Sequence, residues 1–402
     1  MKSTRRSISS NHLTPAFLHC ATILFFTEIA RSAFLISFLP AYAKERQITL
    51  AAVGLAISVH YLADTLIKVL AGYVLDRFPA RVILNIFLLL GLLGLFVSYG
   101  VHAPWAIVLG AGLIGIGVSP VWLLCLSEIQ EDRRGSQMGS IYTIWLISLG
   151  LGPVGVNFLI DRSYTLSFWL LAGCWAAGWL LAAFKRMDLS SRRLLERTVS
   201  LKQQIREIGS KLVQMKPLVP GMIVQTLAAG LLVPVLPSFA SEYLALDYSN
   251  YSIMLMAGGC MTVLLLVPMG RLADKWGYKW LLIAGFGVLA ACLGLLIYSR
   301  QIFSTMLLAV CLGAAYAAVL PAWNAILSHY VPAEQKATGW GVLSGIEGIG
   351  VILGPILGGW MAESFDVTVT VGISSLLLFG IMLFYWIRPV RQHQREQYRQ
   401  RS

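Results

Sequence analysis

The chain has 402 residues, 57% of them hydrophobic and only 12% charged, with a net charge of +12. Soluble domains carry roughly 25% charged residues, so most of this chain must face lipid or other apolar helices. Its six cysteines lie in apolar runs without CxxC or metal-ligand spacing, which marks them as small core residues rather than a redox or metal framework.

A helix needs ~20 apolar residues to cross a bilayer. Twelve such runs are predicted, near 16–40, 49–74, 82–100, 104–127, 137–160, 166–185, 217–240, 249–271, 279–299, 303–328, 338–361 and 367–388. The first follows Lys2, Arg5 and Arg6 but is too long for a signal core and lacks a small-residue cleavage site, so it reads as a retained membrane helix.

That first span contains TEIARSAF, which places Glu28 and Arg31 three residues apart on one helix face. A charge at such depth costs on the order of 2.5–3.5 kcal/mol, which usually marks function. In span two, HYLADTLIK sets His60, Asp64 and Lys68 along one stripe. A buried carboxylate beside a guanidinium can titrate near working pH. It can therefore couple proton flow to a conformational cycle, or it can be a static pair that fixes helix packing.

Further along, Trp122 and Trp145 fall mid-span, away from the interfacial belt where Trp usually sits. They read either as a stacking platform for sugar rings or as core fillers. Lys185–Lys216 is the one long polar connection, and its leucine and isoleucine spacing fits an amphipathic interfacial helix or a solvated linker. Glu128 and His329 end their spans, and Glu347 in span eleven sits among glycines. The second half otherwise lacks charges at depth, so a polar N-terminal interior and an apolar C-terminal one are expected.

Of the Lys and Arg residues, 25 lie in the termini and the loops on their side, against four in the opposite loops. By the positive-inside rule both termini are then cytoplasmic. The positive charge is topology and contact with anionic lipid, and no nucleic-acid partner is expected.

The halves repeat. GYVLDRFPAR at Gly72–Arg81 precedes GRLADKWGYK at Gly270–Lys279 by 198 residues. SPVWLLCLSE at Ser119–Glu128 precedes LPAWNAILSH at Leu320–His329 by 201, and Gly152-Pro153 matches Gly354-Pro355. The chain is thus an all-α membrane protein of twelve transmembrane helices in two pseudo-symmetric six-helix bundles. The predicted boundaries are 1–186 for the N-terminal bundle, 187–216 for a cytoplasmic linker, 217–390 for the C-terminal bundle and 391–402 for a basic tail.

At this point the sequence resembles the major facilitator superfamily, whose signature loop G-x-L-a-D-r-x-G-r-(R/K) is matched twice, with Pro79 replacing a glycine in the first copy. The resemblance implies that Asp76, Arg77, Arg81, Asp274 and Lys275 gate the conformational cycle. Such transporters rock two halves about a midplane site. Gly341–Gly359 fits the family's antiporter motif G-x8-G-x3-G-P-x2-G-G, which ordinarily belongs to span five.

EIAR, SVHYLAD, GVSPVWLLCLSEIQEDRRGSQMG and LPAWNAILSHYVPAEQKATGWGV together resemble one branch of the superfamily. That branch is the proton-coupled flippases for the glycolipid anchor of lipoteichoic acid. The resemblance implies that Glu28, Arg31 and Asp64 carry the proton-coupled step and that Trp122 and Trp145 line a headgroup pocket. Trp323, Asn324 and His60 are further candidates for cargo contact. It also implies a disaccharide-diacylglycerol cargo moved from inner to outer leaflet of a Gram-positive cell membrane. No cofactor or metal is expected, the proton gradient being the energy source, and envelope-assembly enzymes are candidate partners. The alternative on the same fold is a proton-coupled drug or small-solute exporter. An embedded glycosyltransferase would need an acidic metal-binding pair in an aqueous loop, and the chain has none; a channel would not need the repeat.

Overall fold

The computed structural model describes residues 15–75, 78–129, 134–184, 218–328 and 336–387. The linker expected at 187–216 and the tail at 391–402 lie outside the described residues. Twelve helical spans run in chain order: α1 (Pro15–Glu45), α2 (Leu50–Leu75), α3 (Ala80–Gly100), α4 (Pro104–Ser127), α5 (Arg134–Ile160) and α6 (Tyr164–Phe184) form the first half. The second half holds α7 (Val219–Leu232, continued by Leu236–Tyr243), α8 (Tyr248–Trp276), α9 (Tyr278–Leu296), α10 (Ile302–Ser328), α11 (Lys336–Ser364) and α12 (Val367–Ile387). Eleven are long and apolar enough to cross a membrane as they stand, and α7 is a pair bent by 47°. The sequence predicts α7 as one run, 217–240; the bend falls at Pro234 and Pro237, where the backbone ladder loses its donors.

Each half has its own apolar core, one centred on Phe17, Phe34, Phe168 and Trp175, the other on Phe239, Phe286, Trp323 and Tyr385. In the first half α4 packs against α1, α2 and α3, so α1 and α2 share α4 as a neighbour. In the second half α8 packs on α10, and α7 on α11 and α12. A methyl group at Gly115 would run into the His60 backbone, and one at Gly313 into the Gly258 backbone. The two pairs stand 198 residues apart, so the repeat holds in the packing as well as the sequence.

The repeat also extends to a feature the sequence reading missed. A single π-helical turn interrupts α1 at Phe34–Phe38 and closes α7 at Phe239–Tyr243. Phe38 stacks on Tyr42, and Phe239 on Tyr243, each at 5.2 Å and 14°. Tyr42 donates to the Tyr99 carbonyl (2.8 Å) and Tyr243 to that of Ile297 (2.7 Å). A guanidinium covers each ring, Arg46 at 4.9 Å and Arg300 at 4.3 Å.

Candidate functional site between the halves

Among the described residues, the hydrogen bonds and ion pairs that join the halves gather at the end of the bundle away from the chain termini. Asp161, just past α5, accepts from Tyr248 N (3.1 Å), Ser249 N (2.8 Å) and the Ser249 hydroxyl (2.6 Å) at the start of α8. Glu363, at the end of α11, accepts from Ala51 N (3.1 Å) at the start of α2. These two latches are pseudo-symmetric: each sets a carboxylate against the positive N-terminus of a helix in the other half. Ser252 donates to the Val154 carbonyl (3.2 Å), the Ser58 hydroxyl accepts from Ile356 N beside Pro355 (3.0 Å), and Lys44 pairs with Glu242 (2.8 Å).

Deep in the first half, Arg31 makes a bidentate pair with Glu28, Nε to Oε2 at 2.8 Å and Nη2 to Oε1 at 2.6 Å. Glu28 is buried and Arg31 half-buried. The i, i+3 spacing read from the sequence is what lets one helix supply both ends. Asp64 is held separately: Lys68 donates to Oδ2 at 2.6 Å and Ser119 of α4 to Oδ1 at 2.9 Å. Arg31 feels the Asp64 charge across from α1 to α2, although no ion pair joins them. Each carboxylate takes its cation from its own helix, because the i, i+3 and i, i+4 spacings put that cation in reach first.

Trp122 and Trp145 meet, ring centroids 6.4 Å apart at 63°, and Tyr142 completes a triangle with Trp122 at 5.5 Å and Trp145 at 6.4 Å. Both tryptophans are half-buried and Tyr142 is exposed, and Trp122 also packs against the core of the first half. Tyr142 was not singled out from the sequence; its i, i+3 relation to Trp145 was the available signal.

Other expected contacts fall elsewhere. His60 is wholly buried, its Nδ1 against the Ala111 carbonyl of α4 at 3.0 Å, so its ring packs α2 on α4 and does not line the lumen. Trp323 is 3% exposed, edge-on to Phe286 at 6.4 Å. Its ring is core, and only its indole N–H reaches outward, to Glu347 Oε1 at 3.0 Å. Gln225 Nε2 donates to the same oxygen at 3.3 Å. Asn324 is exposed. Glu347, the one charge that the sequence places at depth in the second half, thus has two neutral donors.

Of the residues expected to gate the cycle, Asp76 and Arg77 lie outside the described residues, and the Asp274 side chain is likewise outside them; His329 also lies outside. Lys275 is exposed. Arg81 donates to the Ala183 carbonyl, tying the start of α3 to the end of α6. The glycines of the antiporter motif are explained by packing: a methyl at Gly350, Gly354 or Gly358 would strike α7, and one at Gly359 would strike Leu50 and Ala51 of α2. No group of His, Cys, Asp and Glu among the described residues is arranged to hold a metal ion.

The chain is 28% identical over 390 residues to a Staphylococcus saprophyticus protein named proton-coupled antiporter flippase LtaA, covering 96% of this chain and 97% of that one. A protein of the same name from Staphylococcus aureus strain N315 is 28% identical over 380 residues, covering 92% and 93%. The crystal structure of the nucleoside transporter NupG superposes with a TM-score of 0.74 over 92% of this chain and 99% of that one, at 16% identity, a likeness of fold. The family model described as Major Facilitator Superfamily matches residues 20–216 and 218–402. Twelve helical spans in two repeated halves and a family match over both of them lead to one conclusion: this multi-pass membrane protein belongs to the Major Facilitator Superfamily of transporters.

Proposed function

We propose that the protein is a proton-coupled antiporter. Its cargo is a disaccharide-diacylglycerol, the anchor of lipoteichoic acid, carried from the inner to the outer leaflet of a bacterial cell membrane, with both termini in the cytoplasm. The observation that carries this reading is the buried bidentate Glu28–Arg31 pair, in a chain alike over nearly its whole length to relatives named proton-coupled antiporter flippases.

The chemistry follows from what a proton does to that pair. Protonated Glu28 no longer neutralises Arg31, and an unpaired buried cation is costly. The freed guanidinium is then balanced by Asp64, whose charge it already feels, or by oxygens of an arriving headgroup. Re-forming the pair expels the proton. The Trp122–Tyr142–Trp145 wall offers aromatic faces to sugar C–H groups, while acyl chains lie against the second half. Asp76, Arg77, Arg81, Asp274 and Lys275 would close the cytoplasmic side in the alternate state. The cycle draws on the proton gradient without a bound cofactor, and cargo reaching the outer leaflet is available to envelope-assembly enzymes.

The test uses sealed proteoliposomes with fluorescent diglucosyl-diacylglycerol, an outside quencher, and flipping measured with and without an inward proton gradient. Gradient-accelerated flipping in the wild type, lost in Glu28→Ala, is the expected outcome. Wild type that leaves this lipid in place while exchanging protons for a soluble drug overturns it in favour of the exporter.

A further inference from the structure

The carboxylates of the two lumen walls differ in how they are neutralised. Glu28 has Arg31 and Asp64 has Lys68, each through a contact of 2.6 Å. Glu347 has no basic group within ion-pair distance among the described residues. Its Oε1 takes both neutral donors, Trp323 Nε1 and Gln225 Nε2, and its Oε2 has none among the described residues.

The groups around Glu347 offer no compensating charge. From α7 it meets Gln225 and from α10 Trp323, and the phenols of Tyr316 on α10 and Tyr142 on α5 of the other half are close enough to feel its charge. The pairs on α1 and α2 are internally neutral. By the repeat, Glu347 stands where the first half has Trp145, 202 residues earlier, and Trp323 where it has Trp122. The aromatic contact of the first half is thus replaced by an indole–carboxylate hydrogen bond in the second.

We propose that Glu347 is a proton-carrying group of the C-terminal half, ionised in the conformation described, where the halves are latched at the end away from the termini, and protonated in the alternate conformation. The inference rests on the proton-coupled reading and adds a second site to it. In the conformation described, water solvates Oε2 and the two N–H donors stabilise the anion. The alternate conformation strips that water and leaves one oxygen of an unpaired carboxylate in an apolar setting, a cost a proton removes. The proton enters from the far side, rides as the neutral acid through the change of conformation, and leaves to water on the side of the termini.

The experiment is infrared difference spectroscopy on the full-length protein in lipid, titrated with acid, alongside the gradient-driven flipping assay. A protonated-carboxyl band that is present in wild type and Glu28→Gln but absent in Glu347→Gln is expected. The ratio of flipping with and without the gradient should fall to about one in Glu347→Gln. A Glu347→Gln protein with the wild-type band and the wild-type ratio overturns the proposal. Gln225→Ala and Trp323→Phe, each removing one donor from Oε1, should move the pH at which the band appears. Should Glu347→Gln fail to fold, an unmoved band in both donor variants overturns it. Wild type without any gradient response overturns the antiporter reading, and the infrared band still decides whether Glu347 takes a proton.

Discussion

The two halves of this molecule share a backbone plan and differ in what they place on it. Where α2 carries His60, Asp64 and Lys68, the corresponding register of α8, 198 residues on, carries Gly258, Thr262 and Leu266. Asp64 takes a lysine and a serine hydroxyl; Thr262 turns its hydroxyl back to the carbonyls of Gly258 and Gly313. Where α1 has Glu28, α7 has Thr226, which donates to the Met222 and Glu347 carbonyls. At the closed end the halves agree: Asp161 with Glu363, Tyr42 with Tyr243, Arg46 with Arg300. Residues that hold the bundle and its latch keep the pseudo-symmetry because both halves must meet across it. The charged residues at depth do not: Glu28, Asp64 and Lys68 of the first half correspond to Thr226, Thr262 and Leu266 in the register of the second.

That contrast can be broken most strongly at α1. Arg31→Ala leaves Glu28 buried without its cation, a loss of about 3–5 kcal/mol. Thr226→Ala at the equivalent depth of α7 removes one neutral hydrogen bond, about 1 kcal/mol. Thermal unfolding of the two variants in one detergent should rank them in that order, and comparable losses would mean that the first half stores no more electrostatic energy than the second. Next comes the α7–α11 contact. Gly354→Ala drives a methyl into Gly230 and should cost about 1–3 kcal/mol by overpacking, whereas Gly155→Ala on α5 meets nothing within 4 Å and should be neutral or slightly stabilising. The same unfolding assay separates them.

A smaller effect is expected at the aromatic wall. Trp145→Ala removes one of the aromatic faces proposed to meet the sugar, so headgroup affinity should fall about tenfold, about 1.4 kcal/mol. Intrinsic fluorescence titration with the glycolipid, against diacylglycerol lacking the sugar, reads this directly, and an equal loss for both lipids would remove the wall from headgroup recognition. The smallest change is predicted at the latch, where both carboxylates meet solvent and each is worth at most about 1 kcal/mol. Asp161→Ala, which loses three bonds, should shift the balance toward opening at that end more than Glu363→Ala, which loses one. Distances between spin labels placed on α5 and α8 would show the shift, and a larger effect from Glu363→Ala would deny the latches their shared role.

Much of this was legible in the sequence. Runs of ~20 apolar residues report helices that cross lipid, because every backbone polar group must be satisfied within the segment. The matched loops at constant offset report two repeated halves. Glu28 and Arg31 were readable as a pair because their partnership is local, set by helix periodicity alone. Trp122 and Trp145 left two options open in the sequence, since a mid-span Trp looks the same in a core and on a wall; in the structure both are half-buried.

What the tertiary structure decided is everything that depends on which helix faces which. His60 shares a stripe with Asp64 but turns into α4, and Trp323 repeats Trp122 in sequence yet buries its ring against Phe286. Glu347 looked isolated among glycines; those glycines bring α7 close enough for Gln225 to reach it, and α10 presents the Trp323 indole. Asp161 and Glu363 read as ordinary loop-side acids until the halves are docked and each meets a helix N-terminus 88 or 312 residues distant. Depth, helix and repeat are written in local spacing. Partners across helices and across the lumen are not, because they are set by packing between segments that spacing alone does not relate.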